Sequence, residues 1–190
     1  YHFPHTTQVA GTTLVYGGDD RLYQNIFLGG TKTYTEQALN GTAGYDGSPV
    51  SLEEYVEEVP ALGNGDVEMF EKVNQPVFIN GNAYLKGAPA FAREEDNYLS
   101  EGDPQVKISV EGDSVYLEMN VEKDMLSIPT EIIDTEKLGM VRLVEAPFDD
   151  PDGNPIVLDK DYLGKTRKAG SPAGPLEELK EGFNRVKVWG

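Results

Sequence analysis

The chain has 190 residues, 33 acidic against 16 basic, for a formal net charge of −17, and it contains no cysteine. Disulfides, thiolate metal sites and cysteine nucleophiles are thereby excluded, and nucleic acid is disfavoured as a partner because phosphate contacts need clustered Lys and Arg. Lys160, Lys165, Arg167 and Lys168 are the basic cluster, and no apolar run approaches the about 18 residues of a membrane span.

An acidic surface suits neutral or cationic ligands and also aids solubility. Neutral sugars pass that filter, whereas polyanionic uronans pass it poorly. The first residue is Tyr1, not Met, and no apolar signal segment follows, so an upstream part of the same protein is expected. The lack of cysteine leaves both a cytoplasmic and a bacterial extracytoplasmic location open.

Residues 1–35 read as extended. Gln8 to Tyr16 forms a first strand, Gly17-Gly18 a turn, and Leu22 to Leu28 a second strand that Gly29-Gly30 breaks. Leu22, Ile26 and Leu28 share one parity while Tyr23, Asn25 and Phe27 share the other. That two-sided pattern predicts a strand buried or stacked on both faces. An internal asparagine before Ile-Phe suits strands whose buried amides stack between successive coils.

Residues 36–75 read as an excursion from the sheet, with turn pairs at Asn40-Gly41, Asp46-Gly47 and Asn64-Gly65. Ser51 and Glu54 form a capping box for a helix from Leu52 to Val59 that Pro60 ends. A further helical turn is expected within Asp66 to Val73. Val77-Phe78-Ile79 and Ala83-Tyr84-Leu85 return to strand on either side of Asn80-Gly81, a pair that makes either a hairpin turn or a sharp corner.

Between Val106 and Val121 the apolar residues alternate on both sides of Gly112-Asp113, which predicts an antiparallel hairpin with one buried face. A second hairpin is expected around Asp152-Gly153-Asn154, pairing Met140–Val144 with Ile156–Leu158. Arg185 to Trp189 reads as a last strand. No strict repeat stands out.

Three stretches taken together carry a resemblance. They are Phe3-Pro4-His5-Thr6-Thr7-Gln8-Val9-Ala10-Gly11, Gly18-Asp19-Asp20-Arg21-Leu22-Tyr23-Gln24-Asn25-Ile26-Phe27, and Pro76-Val77-Phe78-Ile79-Asn80-Gly81-Asn82-Ala83-Tyr84-Leu85-Lys86-Gly87-Ala88. They resemble the C-terminal part of glycoside hydrolase family 120 β-xylosidases. Leu158 to Trp189, with Tyr162-Leu163-Gly164-Lys165-Thr166-Arg167, is similar to the closing segment of bacterial parallel β-helix proteins.

The resemblance implies a mainly β fold. Residues 1–92 would be the last coils of a right-handed parallel β-helix, with the excursion at 36–75. Residues 93–190 would be an antiparallel C-terminal capping region, and one or two short helices complete the fold. An open stack end exposes unpaired backbone, so a cap is physically required. The resemblance also implies retaining hydrolysis of β-xylosides and xylo-oligosaccharides by an Asp nucleophile and a Glu acid/base. Both acids would lie upstream of Tyr1, so this fragment alone would be inactive. No cofactor and no metal are implied.

The candidate sugar contacts are His5, Asp19, Asp20, Arg21 and Tyr45. Carboxylates accept hydrogen bonds from hydroxyls, and arginine donates a rigid fork. Asp19 and Asp20 are adjacent on a strand and point apart. They cannot be the two carboxyls that a retaining glycosidase holds ~5 Å apart. The competing account of Asp19, Asp20 and Arg21 is a turn acid beside a structural Asp–Arg bridge. His5 enters as a sugar donor through the resemblance, against an ordered loop histidine beside Pro4. His2 and His5 are the sole histidines and lack the further ligands that zinc needs.

Asp149 to Asn154 fails as an EF-hand loop, because the sixth and twelfth positions counted from Asp150 are Pro155 and Asp161 instead of Gly and Glu. A tight turn accounts for it. Among Tyr16, Tyr23, Tyr34, Tyr45, Tyr84 and Trp189, Tyr45 in its glycine-rich loop is the best-placed stacking platform. Glu53, Glu54, Glu57 and Glu58 form a solvated helix face. A non-catalytic carbohydrate-binding or structural β-domain and a β-helix polysaccharide lyase are the rival readings; the lyase suffers from the scarcity of basic residues.

Overall fold

The computed structural model describes residues 18–30, 41–51, 53, 54, 57, 75–141 and 146–190. Within them the protein is mainly β, with a few short helices. His5, the expected strand at residues 8–16, and the expected helical turn at residues 66–73 lie outside the described residues.

The first half is a stack of short parallel strands. β1 (Arg21–Tyr23) pairs in parallel with β3 (Phe78–Asn80), placing Leu22 beside Ile79. β2 (Ile26–Leu28) pairs in parallel with β4 (Asn82–Leu85), and β4 pairs in parallel with β5 (Asn97–Leu99). Leu22 to Leu28 is therefore not one strand. Gln24 takes a left-handed φ of 57° and Gly81 one of 74°, so both coils turn at the same height. There the Gln24 N–H donates to Asn80 O at 3.2 Å. A non-glycine residue rarely adopts this conformation, which is why the apolar parity alone concealed the corner. Asn80-Gly81 is likewise a corner and not a hairpin turn, since β3 and β4 bond to different parallel partners. Gly29 meets the next coil so closely that a Cβ would lie 1.9 Å from Lys86 O. Only glycine fits such a backbone approach.

Register stacks like on like. Asn82 lies beside Asn97, and Phe27 beside Tyr84, which lies beside Leu99. The Phe27 and Tyr84 rings stack at 5.1 Å between centroids. The Asn82 side-chain oxygen accepts from Asn25 N at 2.7 Å and from Asn25 Nδ2 at 3.0 Å. Asn82 Nδ2 donates to Leu22 O and to Glu94 Oε1 at 2.9 and 2.8 Å. The coils thus repeat a pattern, Asn25-Ile26-Phe27-Leu28 over Asn82-Ala83-Tyr84-Leu85.

Side chains alternate across a strand, so Ala83 and Leu85 leave the sheet on the side opposite Asn82 and Tyr84. There they join the main core with Met119, Val121, Met125, Ile128, Ala173, Leu176 and Leu179. The C-terminal half therefore lies against a face of the β2–β4–β5 sheet. A second, smaller core holds Val77, Ile79 and Phe91, with Leu22 and Tyr45 packed on it.

The C-terminal half holds the antiparallel sheet β12–β7–β6, formed by β6 (Lys107–Glu111), β7 (Ser114–Val121) and β12 (Gly182–Trp189). The hairpin of Val106 to Val121 forms where its alternation predicts. Its single buried face does not. Met119 and Val121 are buried, while Ile108, Val110 and Trp189 are exposed, Val110 by 71% and Trp189 by 70%. β7 reaches the main core with only one end, and the other end overhangs. The opposite face is charged: Arg185 donates to Glu118 and Glu111 at 2.9 and 2.6 Å and lies 3.7 Å over the Tyr116 ring.

The turn at residues 150–154 forms as a tight Asp-anchored loop, with Asp150 Oδ1 accepting from Asp152 N and Asn154 N at 2.9 and 2.8 Å. These bonds, those from Asn154 foremost, hold its carboxyl below the usual range. The expected strand partners differ. β9 (Met140–Val141) pairs with β10 (Ala146–Pro147), and β11 (Val157–Leu158) pairs with β8 (Ile133–Asp134). The helix Thr135–Leu138, between β8 and β9, is capped by Asp134, which accepts from Lys137 N at 2.8 Å. In the excursion, Ser51 Oγ accepts from Glu54 N at 3.1 Å, as a capping residue should, and Glu53, Glu54 and Glu57 are exposed.

Candidate functional site

Asp19, Asp20 and Arg21 stand at the entry to β1, locked to the next coil. Asp19 N donates to Pro76 O at 2.7 Å, and Phe78 N to Asp20 O at 2.9 Å. Asp19 holds a left-handed φ of 57°, a conformation that aspartate tolerates better than most residues.

Arg21 is committed inside the protein. Its side chain is only 6% exposed and is paired with the Asp19 carboxylate. Nε donates to Leu138 O at 2.9 Å and Nη2 to Met140 O at 2.8 Å. The guanidinium lies 4.5 Å from the Phe78 ring centre and 4.9 Å from that of Phe148. A planar fork over two rings, fixed by two carbonyls, is a rigid tether. It joins the first described coil to the segment around β9 and β10.

Asp20 and Tyr45 form the second half of the site. Gly41–Tyr45 is a single turn of 3-10 helix, and it brings the Tyr45 hydroxyl to Asp20, to which it donates at 2.7 Å. The bond to Asp20, then burial, pushes the Tyr45 phenol up to about 12. Tyr45 is half-buried against the small core and not a fully open platform. Asp19 and Asp20 have different partners, so the structure brings Asp20 and Tyr45 together on one side and Asp19 and Arg21 on the other. Among the other aromatic candidates, Tyr84 is buried and Trp189 exposed.

Behind this site lies a polar centre of which the sequence singled out the Asn25 amide but not Glu94. Glu94 is buried, its carboxylate accepting from Asn82 N at 2.9 Å, Asn82 Nδ2 at 2.8 Å and the Tyr84 hydroxyl at 2.5 Å. Thr42 donates to the same tyrosine oxygen at 3.0 Å. Burial first, and the bond to Glu94 second, push the Tyr84 phenol upward. Glu94 sits in the charged run Arg93-Glu94-Glu95-Asp96. The repeated asparagines at 25 and 82 were the available signal for a buried polar column. Among the described residues no three His, Asp or Glu side chains group as a metal site, and no helix is long and apolar enough to cross a membrane.

The chain is similar to XylC, solved in complex with xylose. The TM-score is 0.82 and the identity 46%, over 100% of this chain and 29% of XylC. The chain thus spans less than a third of the length of the protein it matches. No protein-family model matches it, and no curated protein does.

Proposed function

We propose that the chain is the C-terminal segment of a retaining glycoside hydrolase of family 120 type, acting on β-xylosides and xylo-oligosaccharides. Its Asp nucleophile and Glu acid/base would come from a part of the longer protein outside these residues. The observation that carries this reading is the 46% identity to xylose-bound XylC over the whole chain, with 29% of XylC covered. The parallel pairing of β1 with β3 and of β2 with β4, together with the asparagine column, supports residues 1–92 as last coils of a right-handed parallel β-helix, and the parallel β4–β5 pair carries that stack past the expected boundary to Leu99. The residues beyond β5 then form the antiparallel companion that shields that stack.

In this role the chain needs no catalytic pair of its own. Asp20, hydrogen-bonded to Tyr45, presents a fixed carboxylate to a sugar hydroxyl. His5, Asp19 and Arg21 complete the proposed contact set, Arg21 by holding Asp19 in place. The test is hydrolysis of a nitrophenyl β-xyloside. The full-length protein should turn it over and residues 1–190 alone should not. Turnover by the isolated chain would place catalytic acids within it and overturn the division of labour.

A further inference from the structure

We propose a second small-molecule site, for a neutral pyranose ring, at the end of the parallel stack. Among the described residues β5 is the outer strand of its sheet. The column that begins with the stacked rings of Phe27 and Tyr84 ends at Leu99, which is 59% exposed. Beside Leu99 the segment 87–92 folds back and leaves an open groove of about 440 Å³. That volume falls in the usual range of ligand sites, about 300–1,000 Å³.

The lining states what would fit. Leu99 supplies an apolar surface, and the alanines at 88, 90 and 92 leave room above it. Glu101 supplies a carboxylate against Gly87, with no hydrogen bond to another described residue; a Cβ on Gly87 would come within 3.0 Å of its Oε2. Asn97 donates through Nδ2 to Glu94 O at 3.1 Å, which turns its side-chain oxygen into an acceptor for a ligand. Among the described residues, no lysine, arginine or histidine lines the groove. Acceptors without cations, beside an apolar patch, select a ligand that donates hydroxyl hydrogens, offers a C–H face and carries no negative charge. A neutral sugar ring has these three properties. The groove does not include Asp20 or Tyr45, so it stands independently of the hydrolase reading.

The experiment is calorimetric titration of xylose, xylobiose and glucuronate into the full-length protein, wild type and with Glu101→Ala or Ala92→Trp. Glu101→Ala removes the carboxylate, and Ala92→Trp fills the groove. A binding event for the neutral sugars should weaken at least tenfold in either variant, and glucuronate should bind at least tenfold less tightly than xylose. Hydrolysis of the nitrophenyl xyloside should keep its kcat in both variants. Neutral-sugar binding that both variants leave unchanged, or glucuronate binding as tight as xylose, would overturn the site. If one variant fails to fold, the other decides. Loss of hydrolysis in the wild type, with groove binding intact, would sink the hydrolase reading alone.

Discussion

The two halves of the molecule handle polar groups in opposite ways. In the parallel stack the hydrogen-bonding side chains are inside: Asn25, Asn82, Glu94 and Tyr84 form one connected centre, and each is held by a residue of an adjacent coil or loop. In the antiparallel sheet the charged network of Arg185, Glu111 and Glu118 lies at the surface, and part of the apolar face lies there too. A stacked coil buries each position between neighbours above and below, so a polar side chain there must find its partner within the stack. A sheet that overhangs its core imposes that condition at one end only.

The sharpest way to break this contrast is Asn82→Leu. It removes the oxygen that satisfies Asn25 and the donor that holds Glu94, and a buried carboxylate then loses a partner. The expected cost is about 3–5 kcal/mol, read from urea unfolding. A loss under about 1 kcal/mol would mean that the amide column does not hold the coils together. Met125→Ala empties the core shared by the two halves, where Met125 is fully buried. It should cost about 2–4 kcal/mol. Arg21→Met strands the carbonyls of Leu138 and Met140 and should cost about 2–3 kcal/mol by the same measurement.

Tyr45→Phe sharpens the contrast by titration. The folded-state phenol is raised to about 12, above an unfolded value of about 10. The protonated hydroxyl therefore stabilises the fold fully below about pH 10, and that contribution is lost as pH rises through about 12. The ultraviolet difference spectrum between wild type and variant should show phenolate appearing near pH 12. Appearance near pH 10 would mean that the bond to Asp20 is absent in solution. The smallest effect belongs to the overhang. Ile108→Thr and Val110→Thr should each change stability by no more than about 0.5 kcal/mol. A loss above about 2 kcal/mol would show that this face is covered.

What the sequence made legible follows the same division. Alternation located the hairpin of Val106 to Val121, because a two-residue period and a Gly-Asp turn are local signals. Asn80-Gly81 marked a break in the strand through its glycine, but left hairpin turn and corner equally open. Gln24 hid the matching corner, because nothing local announces a left-handed glutamine. The pairing of Arg21 with the carbonyls of Leu138 and Met140 bridges sequence separations of 117 and 119 residues, beyond any periodic pattern. Nothing local marks Glu94 among its charged neighbours, and its burial depends on Asn82 and Tyr84 of the strand before it. Of the candidate site, the juxtaposition of Asp19 with Arg21 was readable from their spacing. The reach of Tyr45 to Asp20 across the excursion was not.

Trp189 is the sole tryptophan of the chain, and it stands in water at the overhanging end of β12. Its emission should already be close to that of a free indole in the native state, so intrinsic fluorescence will barely follow denaturation of this chain. The same placement makes it a built-in reporter of contact. A blue shift on mixing with the proposed upstream part would signal that the overhang has found cover, with no label attached.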